Sequence, residues 1–68
     1  MRTTINGVEK EIDEATSVLR LLEVEDVESP DMVAVQLNGT IVDRSQYAQT
    51  TLENGDVVEF LYFMGGGA

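Results

Sequence analysis

The sequence contains no cysteine and no histidine. A disulfide framework, zinc-finger ligation, thiol catalysis and a Ser-His-Asp triad within this chain are therefore excluded. Basic residues are scarce. Arg2, Lys10, Arg20 and Arg44 stand against 13 Asp and Glu, giving a formal net charge of −9. Phosphate backbones and anionic lipid surfaces are held by Lys and Arg, so neither nucleic acid nor membrane is an expected partner. The charge favours solubility and steering toward basic partners. No apolar run approaches the ~20 residues that span a bilayer. No charged start is followed by a long apolar core, so no signal peptide is expected and the cytoplasm is the expected compartment. At 68 residues and 43% hydrophobic content the chain reads as one small domain with a thin core, expected to be a monomer when free.

What is present is a set of short segments separated by strong turn signals. Met1–Ile5 is compatible with a strand, and Asn6-Gly7 supplies the positive φ of a tight hairpin turn. Val8–Ile12 then alternates apolar and charged character. A helix is expected near Thr16–Glu25, capped by Thr16 or Ser17. Its apolar stripe reads Ala15, Val18, Leu19 and Leu22, broadened by Leu21 and Val24. The acidic segment Glu25–Asp31, with Ser29-Pro30, reads as a loop. Met32–Leu37 reads as a buried strand, Asn38-Gly39 as a second tight turn and Ile41-Val42 as a short strand. A loop with one helical turn is expected over Asp43–Gln49, and Asn54-Gly55 is a third turn. Val57–Phe63 is the strongest strand and, being apolar on both faces, is expected at the sheet centre. Hairpin, helix, strand, short strand, loop and strand make an α+β domain with one main helix on a small mixed sheet. That order fits a ubiquitin-like β-grasp over residues 1–64, followed by a glycine-rich tail over 65–68.

Gly65, Gly66 and Gly67 follow the last strand. Glycine has no side chain to pack and loses the most entropy on ordering. A frayed terminus is the plain reading. The chemical reading is a carboxyl terminus threaded into a narrow enzyme site, where side chains would clash. Adenylation by ATP converts such a carboxylate to a mixed anhydride, which sulfide or a persulfide can attack on the way to a thiocarboxylate. The chain would then be a covalently modified substrate, not an enzyme.

The sequence here resembles the ThiS/MoaD-type sulfur carriers, in particular the ThiS-like branch. The likeness rests on Val33–Leu37 with Asn38-Gly39 and Ile41-Val42, on Arg44–Ala48, on Leu52–Phe60 with its Asn54-Gly55-Asp56 core, and on the terminal glycines. The resemblance implies a β-grasp fold, an E1-like (ThiF-type) adenylating partner that uses ATP, and a thiocarboxylate on the diglycine Gly66-Gly67. Ala68 departs from that pattern. Some relatives with an extra residue are paired with a JAMM-type metalloprotease that removes it and serve homocysteine formation. The resemblance therefore implies Gly67–Ala68 as a processing site and a sulfhydrylase-like acceptor. The alternative acceptor is a thiazole synthase, for thiamine.

Among the remaining residues, Phe63, Met64 and Gly65 at the base of the tail are candidates for partner docking, as are Arg44 and Tyr47. Asp43, Glu53, Asp56 and Glu59 lack the glycine-containing acidic loop of a calcium site and read as turn and surface residues. No catalytic residue, metal ligand or bound cofactor is expected in the chain. A different class of function stays open: a ubiquitin-like protein modifier or interaction module.

Overall fold

The computed structural model describes residues 1–27 and 29–62. Strand β1 (Arg2–Ile5) and strand β2 (Val8–Glu11) pair antiparallel across Asn6-Gly7. Both turn residues take positive φ, 51° at Asn6 and 83° at Gly7, the twist that matches flanking strands. Helix α1 (Val18–Val24) follows, then a 3₁₀ turn over Pro30–Met32 and strand β3 (Val33–Leu37). Asn38 and Gly39 repeat the hairpin geometry, with φ of 50° and 86°, and lead into strand β4 (Thr40–Ile41). A 3₁₀ turn over Arg44–Gln46 precedes strand β5 (Val57–Tyr62).

The sheet order is β2-β1-β5-β3-β4. Strand β5 runs parallel to β1 and antiparallel to β3, so it occupies the centre as expected. The reason differs from the expected one. Val58 and Phe60 are buried, while Val57, Glu59 and Leu61 are exposed on the opposite face. The sheet is covered on one side, by α1 and the loops, and its other side faces solvent.

The core is a single cluster of Ile5, Ile12, Val18, Leu21, Leu22, Val33, Val35, Tyr47, Leu52, Val58 and Phe60. Helix α1 contributes Val18, Leu21 and Leu22. The broader stripe expected from spacing does not hold. Leu19 and Val24 are exposed, and Ala15 is exposed with φ of 64°, outside the helix. The helix starts later than expected because residues 16–18 pair with a distant segment. Leu52 N–H donates to the Thr16 carbonyl at 2.8 Å and Val18 N–H to the Thr50 carbonyl at 2.9 Å. Ser17 caps the helix, its hydroxyl accepting from Arg20 N–H at 3.0 Å, which satisfies one of the unpaired donors of the first turn.

Candidate functional site

Residues 63–68 follow β5 in sequence, so the candidate site is the end of that strand and what holds it. Phe63, Met64, Gly65, Gly66, Gly67 and Ala68 lie outside the described residues, as does the boundary expected after residue 64. Tyr62 is the last described residue of the strand. It is half-exposed and sits opposite Val33, the first residue of β3.

Strand β5 is anchored along its length by turn side chains as well as by its neighbours. Asn6 Oδ1 accepts from Phe60 N–H at 2.8 Å. Asn38 Oδ1 accepts from Val57 N–H at 2.8 Å, and Asn38 Nδ2 donates to Asp56 Oδ1 at 3.0 Å. Asp56 Oδ2 accepts from Glu53 N–H at 2.8 Å. Asn54 Oδ1 accepts from Arg2 N–H at 2.8 Å. Each of the three Asn-Gly dipeptides thus turns the chain and also fastens it to a segment remote in sequence, a role that turn composition alone does not disclose.

Arg44 is exposed and Tyr47 is buried. The Arg44 guanidinium donates to the carbonyls of Pro30, Asp31 and Val33 at 3.0, 3.2 and 2.8 Å. It also lies 5.5 Å over the Tyr47 ring centroid, within range of a cation–π contact. Arg44 therefore fixes the chain entering β3, directly beside the strand that leads to the tail. Tyr47 is 4% exposed, and its hydroxyl accepts from Val35 N–H at 3.2 Å. The expectation that Tyr47 docks a partner is corrected: the ring is core and the hydroxyl fills the one acceptor position that Val35 needs. Asp43 opens the turn carrying both residues. Hydrogen bonds from Ser45, first its backbone N–H and then its hydroxyl, hold the Asp43 carboxyl below the usual carboxylate range.

The uncovered sheet face carries exposed apolar side chains at separate points, with the hydrogen-bonded Gln36–Glu59 pair between them. Register places Leu61 opposite Ala34, and Ile41 opposite Gln36. Leu61, Ile41 and Val57 are 40–54% exposed. On the other side of the sheet a recess of about 170 Å³ lies between the end of β2 and α1, crossed by the Lys10–Glu25 ion pair at 2.7 Å. Among the described residues no cluster of carboxylates could hold a metal ion, and no helix is long and apolar enough to cross a membrane. The geometry offers a central strand anchored along its length, with Leu61 exposed beside its last described residue.

Comparison with known proteins matches residues 2–67 to the ThiS family model. A crystal structure of a thiamine biosynthesis protein (ThiS) from Geobacter metallireducens superposes with a TM-score of 0.89 at 43% identity, covering 98% of this chain and 100% of that one. A solution structure of a thiamine biosynthesis protein from the same organism gives a TM-score of 0.79 at 43% identity, over 100% of this chain and 90% of that one. A thiazole synthase of Paramagnetospirillum magneticum is 40% identical over 68 residues. The match takes in all of this chain but only 21% of that protein's length.

Proposed function

Since the chain belongs to the ThiS family, we propose that it carries sulfur for thiazole formation on the carboxyl group of Gly67. The observation that carries this reading is the extent of the family match, which runs through the diglycine and stops at Gly67, on a fold whose central strand leads to that segment. A carboxylate oxygen of Gly67 attacks the α-phosphorus of ATP held by an E1-like adenylating enzyme, and pyrophosphate leaves. A sulfide sulfur then attacks the acyl carbon, and AMP leaves with the bonding pair. The product is a thiocarboxylate whose sulfur passes to the acceptor enzyme. The chain supplies no catalytic group. Its part is to present a side-chain-free terminus, since glycine alone enters a narrow passage in any backbone conformation.

Ala68 follows Gly67. In this reading the Gly67–Ala68 bond is hydrolysed first, and a JAMM-type metalloprotease suits the task because its zinc-activated water needs no group from the carrier. The acceptor we favour is a thiazole synthase in place of the sulfhydrylase-like enzyme expected from Ala68. The support is the thiazole synthase relative that contains a counterpart of the whole chain, together with the thiamine biosynthesis proteins among this chain's structural neighbours. Leu61, exposed beside the last described residue of β5, gives the adenylating enzyme an apolar contact.

The test measures intact mass after incubation with the E1-like enzyme, ATP and sulfide, for the full chain and for a chain ending at Gly67. The shorter chain is expected to gain the mass of one oxygen-to-sulfur exchange and the full chain to gain nothing until the protease is added. Equal gain by both removes the processing step. Conjugation to a second protein, with no sulfur gained, returns the chain to the protein-modifier class. Transfer of the sulfur to a thiazole synthase, and not to a sulfhydrylase-like enzyme, identifies the acceptor.

A further inference from the structure

Successive residues of a strand turn their backbone groups alternately to the two neighbouring strands. In β5, the Asn38 N–H to Val57 carbonyl bond of 2.7 Å sets the phase, and the register then makes Glu59 and Leu61 the residues whose backbone groups turn to β3. Val58, Phe60 and Tyr62 therefore turn toward β1. There the ladder is short. Thr4 N–H donates to the Asp56 carbonyl at 3.0 Å and Asn6 N–H to the Val58 carbonyl at 2.9 Å. At Asn6 the backbone enters the left-handed region to start the hairpin turn. The next rung is supplied by a side chain, Asn6 Oδ1 accepting from Phe60 N–H. Beyond it, the Phe60 carbonyl and the Tyr62 N–H and carbonyl have no partner among the described residues. A central strand thus becomes an edge strand over its last residues, in the notch above the β1–β2 turn.

Native proteins blunt open edges with charge, proline or a bulge. This one is Phe60-Leu61-Tyr62, with none of them. We propose that this edge receives an extended segment of the enzyme that takes up the C-terminal residues, adding a strand to the sheet beside β5. The proposal rests on the sulfur-carrier reading above. Position argues for this occupant. Gly67 stands five residues past Tyr62 and can lie no further than about 18 Å from it, so an enzyme acting at Gly67 reaches the notch. Strand addition takes its affinity from main-chain hydrogen bonds and its selectivity from alternate side chains. A segment with aliphatic residues at alternate positions would meet Leu61 on the open face and Tyr62 on the helix side. Asn6 has the positioning role: by closing the rung at Phe60 it sets where the β1 ladder stops and the open edge begins.

The experiment follows amide hydrogen exchange in the chain ending at Gly67, free and mixed with the E1-like adenylating enzyme and ATP. In the free protein the Glu59 and Leu61 amides should exchange slowly and the Tyr62 amide fast. In the complex the Tyr62 amide should slow by at least roughly tenfold, the factor one net hydrogen bond supplies. A second comparison sets Tyr62→Pro against Tyr62→Ala. Proline removes the N–H without breaking a bond within the chain, and alanine removes the ring but keeps the N–H. The proline variant should bind the enzyme roughly tenfold more weakly than the alanine variant. Retained slow exchange at Glu59 verifies its fold; if it unfolds, the exchange measurement on the unsubstituted chain decides. Adenylation of Gly67 with an unchanged Tyr62 amide overturns the edge proposal alone. Absence of both binding and adenylation overturns the sulfur-carrier reading, and the edge proposal falls with it.

Discussion

Tyr47 illustrates how one residue can look like a surface feature in sequence and act as a core linchpin in the fold. It stands in a polar stretch, Arg44-Ser45-Gln46-Tyr47, that reads as an exposed loop. The Arg44–Gln46 turn rolls the ring inward, where it joins the core cluster. Its hydroxyl then reaches Val35 N–H on the side of β3 away from β5. Strand β4 is only two residues long and pairs with Gln36 and Leu37, so it leaves Val35 N–H without a strand partner. Phenylalanine at this position would keep the packing and orphan the buried N–H. An unsatisfied buried donor costs about 1–3 kcal/mol. Tyr47→Phe is expected to lower the unfolding free energy by that amount, read as a lower urea midpoint at an unchanged m-value, and a midpoint equal to that of the unsubstituted chain would show that water satisfies Val35 instead.

At the scale of elements, the Asn-Gly turns carry more than reversal. Asn38 takes φ of 50° and bonds both Val57 N–H and Asp56, so it joins the β3–β4 hairpin to the start of β5. Two variants separate these roles. Asn38→Gly keeps the left-handed backbone and loses the side-chain bonds, at about 1 kcal/mol. Asn38→Ala loses the bonds and adds the left-handed penalty, about 1–2 kcal/mol more. Denaturant unfolding should rank them in that order, and equal loss in both would assign the effect to the side chain alone. The hairpins, the central strand and the β-grasp order were legible in the sequence because Asn-Gly geometry and β-branched alternation are local signals. The start of α1 was not. Spacing placed Ala15 on the helix face, but residues 16–18 pair with Thr50 and Leu52, and no local period reports a partner so far along the chain. The open sheet face was also misread, because an apolar run such as Val57–Tyr62 fits either two buried faces or one buried and one waiting for a partner. At the candidate site the glycines were legible as composition, whereas the clamp by Asn6, Asn38 and Arg44 depends on remote backbone groups that only the fold brings near.

For the molecule as a whole, charge is arranged more simply than its count suggests. Arg2 pairs with Glu9, Lys10 with Glu25 and Arg20 with Glu23, while Arg44 is turned onto backbone carbonyls. All four basic side chains are thus engaged within the chain, and the excess of acidic groups, net −9, is left to project a field. Exposed pairs of this kind contribute little stability, about 0–1 kcal/mol each; their larger consequence is for encounter. A partner with a basic surface around its tail-binding site would be drawn in from beyond contact distance, and the exposed Leu61 would engage after encounter. Salt separates the two contributions. Between about 0.01 M and 1 M the Debye length falls from about 30 Å to about 3 Å, which removes steering while leaving apolar contact in place. Stopped-flow association with the E1-like enzyme is therefore expected to slow by roughly tenfold or more across that range, with dissociation changing much less. A constant association rate would show that the acidic surface serves solubility alone, and a dissociation rate that rises as steeply as association falls would place the charges inside the interface.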